Sequence, residues 1–293
     1  MPQKENFIIG ALYACGAGLC WGVLDASVKK LSHDFGYTFW ELSFIRSFFG
    51  VVALLAIYWL IYRRLPKANN KKLLAFRGIN GALVTITIFC AITAGALGVV
   101  TVIVKSSTVW TAIFAAIILR ERLNFALMTM IILGIVGVGV MFSGAPTQLG
   151  GGFPYFMALL GALFLGISSV VIRKLHRSEE TAAIVAYFLG VGAVIALPAV
   201  VSMRHVVTLA ELYWIVPMII AGTVAQFFLT KSFQYAPASI VYPFTLSEVL
   251  CSTLFGVVMF GEVLTQSFII GAALIIFSAV GIMWSQRQAP KSN

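Results

Sequence analysis

Charge is what this chain has least of. Only 10% of its 293 residues are Asp, Glu, Lys or Arg, against about 25% in soluble domains. No polar stretch is long enough to build a soluble domain, and 60% of the residues are hydrophobic. A mean hydropathy of +1.00 therefore places the chain in a membrane. Histidine is also scarce. His33, His176 and His205 fall in or near connectors, out of helical reach of acids at depth, so no hydrolytic or metal site emerges. No cofactor is expected. The sequence lacks a Gly-rich loop ending in Gly-Lys-Ser or Gly-Lys-Thr, which argues against an ATP-driven pump. Its four cysteines, Cys15, Cys20, Cys90 and Cys251, lie inside apolar segments without metal-ligand spacing. Such thiols pack as small hydrophobes.

The net charge of +10 is no sign of nucleic-acid binding, because most Lys and Arg lie in short connectors between apolar runs. Ten such runs can be drawn: 7–29, 39–62, 73–94, 97–119, 125–142, 154–173, 182–202, 212–234, 237–260 and 265–286. Each approaches the ~20 residues that cross the hydrocarbon as a helix. Leu12 to Cys15 loosely resembles a lipoprotein cleavage box, but Lys4 and Glu5 cancel and the apolar run continues past Cys15. A retained first helix is expected. Pro154, Gly95 and Pro237 sit at segment edges, while Pro198, Pro217 and Pro243 fall inside and can kink their helices.

With the N-terminus in the cytoplasm, thirteen connector Lys and Arg fall on that side and three (Lys29, Lys30, Arg204) on the other. The positive-inside rule then makes both termini cytoplasmic. A shift of 141 residues aligns Glu121 with Glu262, Phe114 with Phe255 and Ser106 with Ser247; a shift of 144 aligns Gly22 with Gly166 and Lys30 with Lys174. Five segments in each half force the halves into opposite orientation. The expected architecture is an all-α membrane protein of two inverted five-helix repeats, 7–142 and 154–286.

Several of these residues carry a resemblance. They are Trp21-Gly22 with Lys29-Lys30, Phe44-Ile45-Arg46, and the paired helix-end motifs Ile118-Leu119-Arg120-Glu121-Arg122-Leu123 and Met259-Phe260-Gly261-Glu262-Val263-Leu264. The chain resembles the drug/metabolite transporter superfamily, in its ten-helix EamA-type branch, from about residue 8 to 286. It departs where the family often has a proline ahead of each motif glutamate: Thr108 or Val109, and Val249 or Leu250, stand there. The resemblance implies transport of small metabolites without ATP, by proton exchange or along the solute's own gradient. The pattern of Asp25, Arg46 and Arg77 is faintly similar to branches that move S-adenosylmethionine or related cofactors.

The residues themselves point to a site at mid-membrane. Glu248 lies about 11 residues from either end of its segment, too deep for a short side chain to reach an interface, so it reads as a coupling or cation-recognising carboxylate. Lys105 lies nearly as deep. It either pairs with Glu248, holds an anionic group, or sends its stem to the interface. Trp110 and Ser107 beside Lys105, Tyr242 beside Glu248, and Gln226 in the eighth segment complete the expected substrate-binding set. Asp25 and Arg46 stand at similar depths and form a second possible pair, with Lys29 four residues after Asp25 on the same face. Together with Glu121 and Glu262 at helix ends they are assigned to coupling or gating. Arg77 and Lys231, near segment ends, read as interfacial anchors, and Glu41 as interfacial.

The expectation is a secondary transporter of a small polar metabolite, such as an amino acid, a derivative, or a cofactor of the S-adenosylmethionine kind. It would work by alternating access in a bacterial inner membrane. Its partners would be that solute and the lipid bilayer, with no nucleic acid, as a monomer or weak dimer. A lipid-modifying membrane enzyme would need a catalytic cluster near an interface, and the sequence offers none. A passive channel fits poorly with charges at the midplane.

Overall fold

The computed structural model describes residues 7–119, 125–143, 151–176, 178–199, 207–235 and 242–288. Among them every regular element is helical. The helices are α1 (Phe7–Phe35), α2 (Phe39–Tyr62), α3 (Lys71–Ala94), α4 (Leu97–Lys105), α5 (Ser107–Leu119), α6 (Phe125–Ser143), α7 (Phe153–Leu175), α8 (Thr181–Ala196), α9 (Leu209–Ser232), α10 (Ser247–Phe260) and α11 (Gln266–Gln288). A 3₁₀ turn, Tyr242–Leu246, leads into α10. Seven helical stretches are long and apolar enough to cross a membrane, with α4 and α5 taken as one, and three more are shorter. That makes ten apolar helical segments among the described residues. Large side chains such as Ile57, Trp59, Leu60, Ile132, Ile135 and Phe277 point outward, as a lipid solvent permits.

Local chemistry fixes the ends. At the start of α2 the Thr38 hydroxyl accepts from the Glu41 N–H at 3.3 Å, while the Glu41 carboxylate accepts from the Thr38 N–H at 2.8 Å. Thr208 and Glu211 repeat this capping box at α9, at 3.4 and 3.0 Å. Glu41 is thus a buried helix cap. Glu211 also accepts from the Tyr37 hydroxyl at 3.2 Å. Burial and the neighbouring Glu211 charge push that hydroxyl up to about 12, so it remains a donor. The α8 helix stops at Ala196, two residues ahead of Pro198, which has no N–H to continue the ladder. Pro217 sits within a continuous α9.

Two segments that read as single spans depart from a continuous α-helix within their described residues. In the fourth, the Ser106 N–H reaches back three residues to the Ile103 carbonyl at 3.0 Å, and α5 restarts at Ser107. In the ninth, the 3₁₀ turn gives way to α10 at Ser247. Ser106 and Ser247 lie 141 positions apart, the offset of the repeat. The family's proline positions are not proline here, and the helices break all the same.

The breaks lie against glycines. A Cβ on Gly22 of α1 would stand 2.3 Å from Cys251 Cβ of α10, and one on Gly166 of α7 would stand 2.6 Å from Trp110 Cβ of α5. Cys251 and Trp110 are again 141 apart, and the glycines 144. The opening helix of each half therefore packs on the broken segment of the other. This close approach needs a residue without a side chain.

Candidate functional site

The breaks bring two opposite charges together. Lys105 is the last residue of α4 and Glu248 the second of α10, so each sits at the helix end whose dipole favours its charge. Lys105 Nζ donates to Glu248 Oε2 at 2.6 Å and to Thr245 Oγ1 at 3.1 Å. Both charged residues are buried, at 2% and 5% exposure. The ammonium also lies 5.2 Å from the Trp21 ring centroid, close enough for a cation–π contact. Gly18 lets α10 come this near to α1, since a Cβ there would meet Ser247 Oγ at 2.1 Å. Ser247 Oγ in turn donates to the Cys15 carbonyl at 2.9 Å.

Asp25 joins the pair from α1. Its carboxyl accepts from the Ser252 hydroxyl at 3.3 Å and is within hydrogen-bonding reach of Glu248. A cavity of about 50 Å³ is walled by Trp21, Asp25, Arg46, Lys105, Gln226 and Glu248 among others. A second, of about 20 Å³, is walled in part by Arg77, Ser168 and Ser169, and shares Val84, Leu165, Phe188 and Gln226 with the first. These volumes hold a few waters and are too small for a metabolite.

Other expectations need correction. Asp25 and Arg46 line one cavity but make no ion pair within 4.0 Å among the described residues. Arg46 Nη1 instead donates to Thr85 Oγ1 at 3.0 Å. Lys29 turns away from Asp25 to Glu262. Trp110 packs on Gly166 and Phe114 rather than on either cavity. Ser107 is fully buried and lines neither; its carbonyl accepts from Thr111. Glu121 and the side chain of Tyr242 lie outside the described residues. Arg77 is no interfacial anchor, because only 3% of it is exposed and its guanidinium stands 4.6 Å from the Phe188 ring.

Each end of the helix bundle is latched by a carboxylate from the second half. At the end where α3 finishes, Glu262 binds Lys29, the Leu97 N–H at 2.5 Å and the Gly98 N–H at 3.0 Å, capping the N-terminus of α4. Lys29 also donates to the Gly95 carbonyl at 3.0 Å. At the end where α3 begins, Glu179 accepts from the Asn69 and Asn70 N–H groups at 2.9 and 2.7 Å. Beside it, Glu180 accepts from Tyr58 at 2.5 Å and Arg64 at 2.9 Å. Those two donors hold its carboxyl below the usual range.

Ten apolar helical segments enclosing buried charge at two helix breaks define a multi-pass cell-membrane protein of the transporter type. The sequence model of the EamA-like transporter family matches twice, over residues 8–143 and 152–284, and the chain belongs to that family. It is 29% identical to an uncharacterized transporter of Helicobacter pylori, over 95% of each chain. It is 27% identical to the pseudopaline exporter CntI of Pseudomonas aeruginosa, over 93% of this chain and 95% of the other. Against the S-adenosylmethionine uptake transporter of Rickettsia prowazekii it is 23% identical, over 94% and 95%. A protein of known crystal structure shares the fold, with a TM-score of 0.66 at 18% identity, over 95% of this chain and 98% of that one.

Proposed function

We propose that this chain is a secondary transporter that moves a small polar metabolite by alternating access. Its two halves, 7–142 and 154–286, are inverted five-helix units with both termini in the cytoplasm. The observation that carries this reading is the buried Lys105–Glu248 pair, set where both halves break their helices and beside a small cavity. A fold does not need a charge at that depth, and an ion pair there costs desolvation that packing residues would avoid. The matching breaks and the exchanged glycine contacts support the inverted arrangement.

The pair is the switch. While Lys105 holds Glu248, neither is available to a solute, and the latches at Glu262 and Glu179 keep both ends shut. A proton on Glu248, or a substrate ammonium in place of Lys105, frees the two broken helices to move apart. Asp25, beside Glu248, is placed to pass or share that proton. Amino acids, their derivatives and cofactors such as S-adenosylmethionine bear the cationic group this exchange requires.

The test is counterflow in proteoliposomes loaded with amino acids or S-adenosylmethionine. Glu248→Gln keeps the shape of the side chain but cannot cycle its charge, and it is expected to abolish counterflow in protein that still melts cooperatively. A wild-type rate in that variant would remove Glu248 from the mechanism.

A further inference from the structure

Lys105 is paired with an acid, but two other buried cations have no carboxylate within 4.0 Å among the described residues. Arg77 lies buried in α3, and neither its Nε nor its Nη1 has a hydrogen-bond partner among the described residues. Arg46, 4% exposed on α2, gives Nη1 to Thr85 and leaves Nε without a partner. Both guanidinium groups stand over the Phe188 ring, 4.6 Å (Arg77) and 5.4 Å (Arg46) from its centroid. Ring contact offsets part of the desolvation of a cation, but buried guanidinium groups are ordinarily held by carboxylates. Neither has one within 4.0 Å among the described residues.

The charge census of the two cavities has the same sense. They are walled by three cations (Arg46, Arg77, Lys105) and two acids (Asp25, Glu248). The unpaired donors flank Phe188, one of four residues that wall both. Ser168, in the second cavity, accepts from Asn80 at 2.6 Å and keeps its own O–H to donate.

We propose that Arg46 and Arg77 form a carboxylate-binding subsite where the two cavities meet, and that it takes the acidic end of the solute. The inference deepens the transport reading and rests on it for what the carboxylate belongs to. The solute is then dipolar and longer than a lone charge pair: its amine replaces Lys105 at Glu248 and its carboxylate lies between the arginines. Such a molecule bridges the cavities past the side chains common to both, Val84, Leu165, Phe188 and Gln226.

The test is thermal melting of the detergent-purified full chain with millimolar succinate or glutamate, each against an uncharged control such as succinamide. A saturable rise in melting temperature is expected with the carboxylates and not with succinamide. Arg77→Met keeps the stem and removes the unpaired charge. It is expected to weaken the half-saturating concentration at least about tenfold, in line with losing charge-assisted hydrogen bonds. The same variant is expected to melt higher than wild type without ligand, whereas a structural arginine would leave a less stable protein behind. Arg77→Lys, a point charge without the planar donors, should restore part of the response. The proposal is overturned if no carboxylate stabilises wild type, if Arg77→Met responds like wild type, or if it melts lower in the absence of ligand. Counterflow separates this from the broader reading. Transport of solutes without an acid, undiminished in Arg77→Met, would sink the subsite alone. Absence of any counterflow, with an anion response lost in Arg77→Met, would sink transport and leave the subsite standing.

Discussion

Replacing Lys105 by methionine keeps the length of the side chain and removes the cation that faces two adjoining carboxylates. At 2.6 Å and an effective dielectric constant of about 20, the attraction to Glu248 is roughly 6 kcal/mol. Withdrawing the two ions from water costs several kcal/mol each, so the intact pair contributes little net stability. Breaking it by removing one partner is different, costing about 3–5 kcal/mol because the other charge stays buried. Surroundings set where each variant falls. Lys105→Met leaves Glu248 and Asp25 against one another, so it belongs at the upper end. Glu248→Gln leaves the ammonium with Thr245 at 3.1 Å and with Asp25 nearby, so it belongs at or below the lower end. The double variant removes both charges and should be more stable than Lys105→Met alone. At roughly 2 °C per kcal/mol for a chain of this size, Lys105→Met should lower the melting midpoint by about 8–10 °C. Tryptophan fluorescence in detergent follows the transition, and Trp21 reports from beside the pair. Losses that merely add in the double variant, or a Lys105→Met variant milder than Glu248→Gln, would refute the coupling.

Three other perturbations test separate parts of the structure. Burial, with Lys231 adding to it, lowers His176 to about 4, and its Nε2–H donates to the Thr230 carbonyl at 2.7 Å. Below the usual histidine value near 6.5 the unfolded chain takes a proton that the folded one refuses, so stability falls as pH falls towards 4. The loss is about 2 kcal/mol by pH 5, and His176→Gln should flatten melting temperature against pH; an unchanged slope would count against it. Glu262→Gln exchanges an acceptor of three donors for an amide. Amide hydrogen exchange at Leu97 to Thr101 should then quicken at least about tenfold, from the loss of charge-assisted bonds, while exchange in α9 stays as it was. Gly22→Ala and Gly166→Ala each press a methyl into the other half, 2.3 and 2.6 Å from the facing Cβ. Each should cost about 1–3 kcal/mol of stability, and a neutral result in either would remove the close approach.

Depth was readable from the chain, and direction around a helix was not. Rise per residue places Glu248 and Lys105 at one level, so their meeting could be expected from the sequence. The same arithmetic places Asp25 level with Arg46, yet these two turn to Ser252 and Thr85. Level alone does not say which neighbour a side chain faces. Arg77 shows what does. Seven residues into α3, its long stem could reach either an interface or the interior. The choice is made by the face that α3 packs. A Cβ on Gly78 would meet Val191 at 2.6 Å and one on Gly81 would meet Phe188 at 2.1 Å, so α8 seats directly on these glycines. Asn80 and Gly81, three and four positions past Arg77, occupy the same side of the helix and bond or pack inward to α7 and α8. An arginine followed at that spacing by asparagine and glycine was therefore a readable sign of a buried cation. The break ahead of Ser247 had its own sign, Pro243, which lies in the 3₁₀ turn Tyr242–Leu246; the break at Ser106 had none, with no proline beside it. Both are held by tertiary packing, one half's broken segment against the other half's glycine. A device for moving those segments would be built at that contact, and the Lys105–Glu248 pair lies within it.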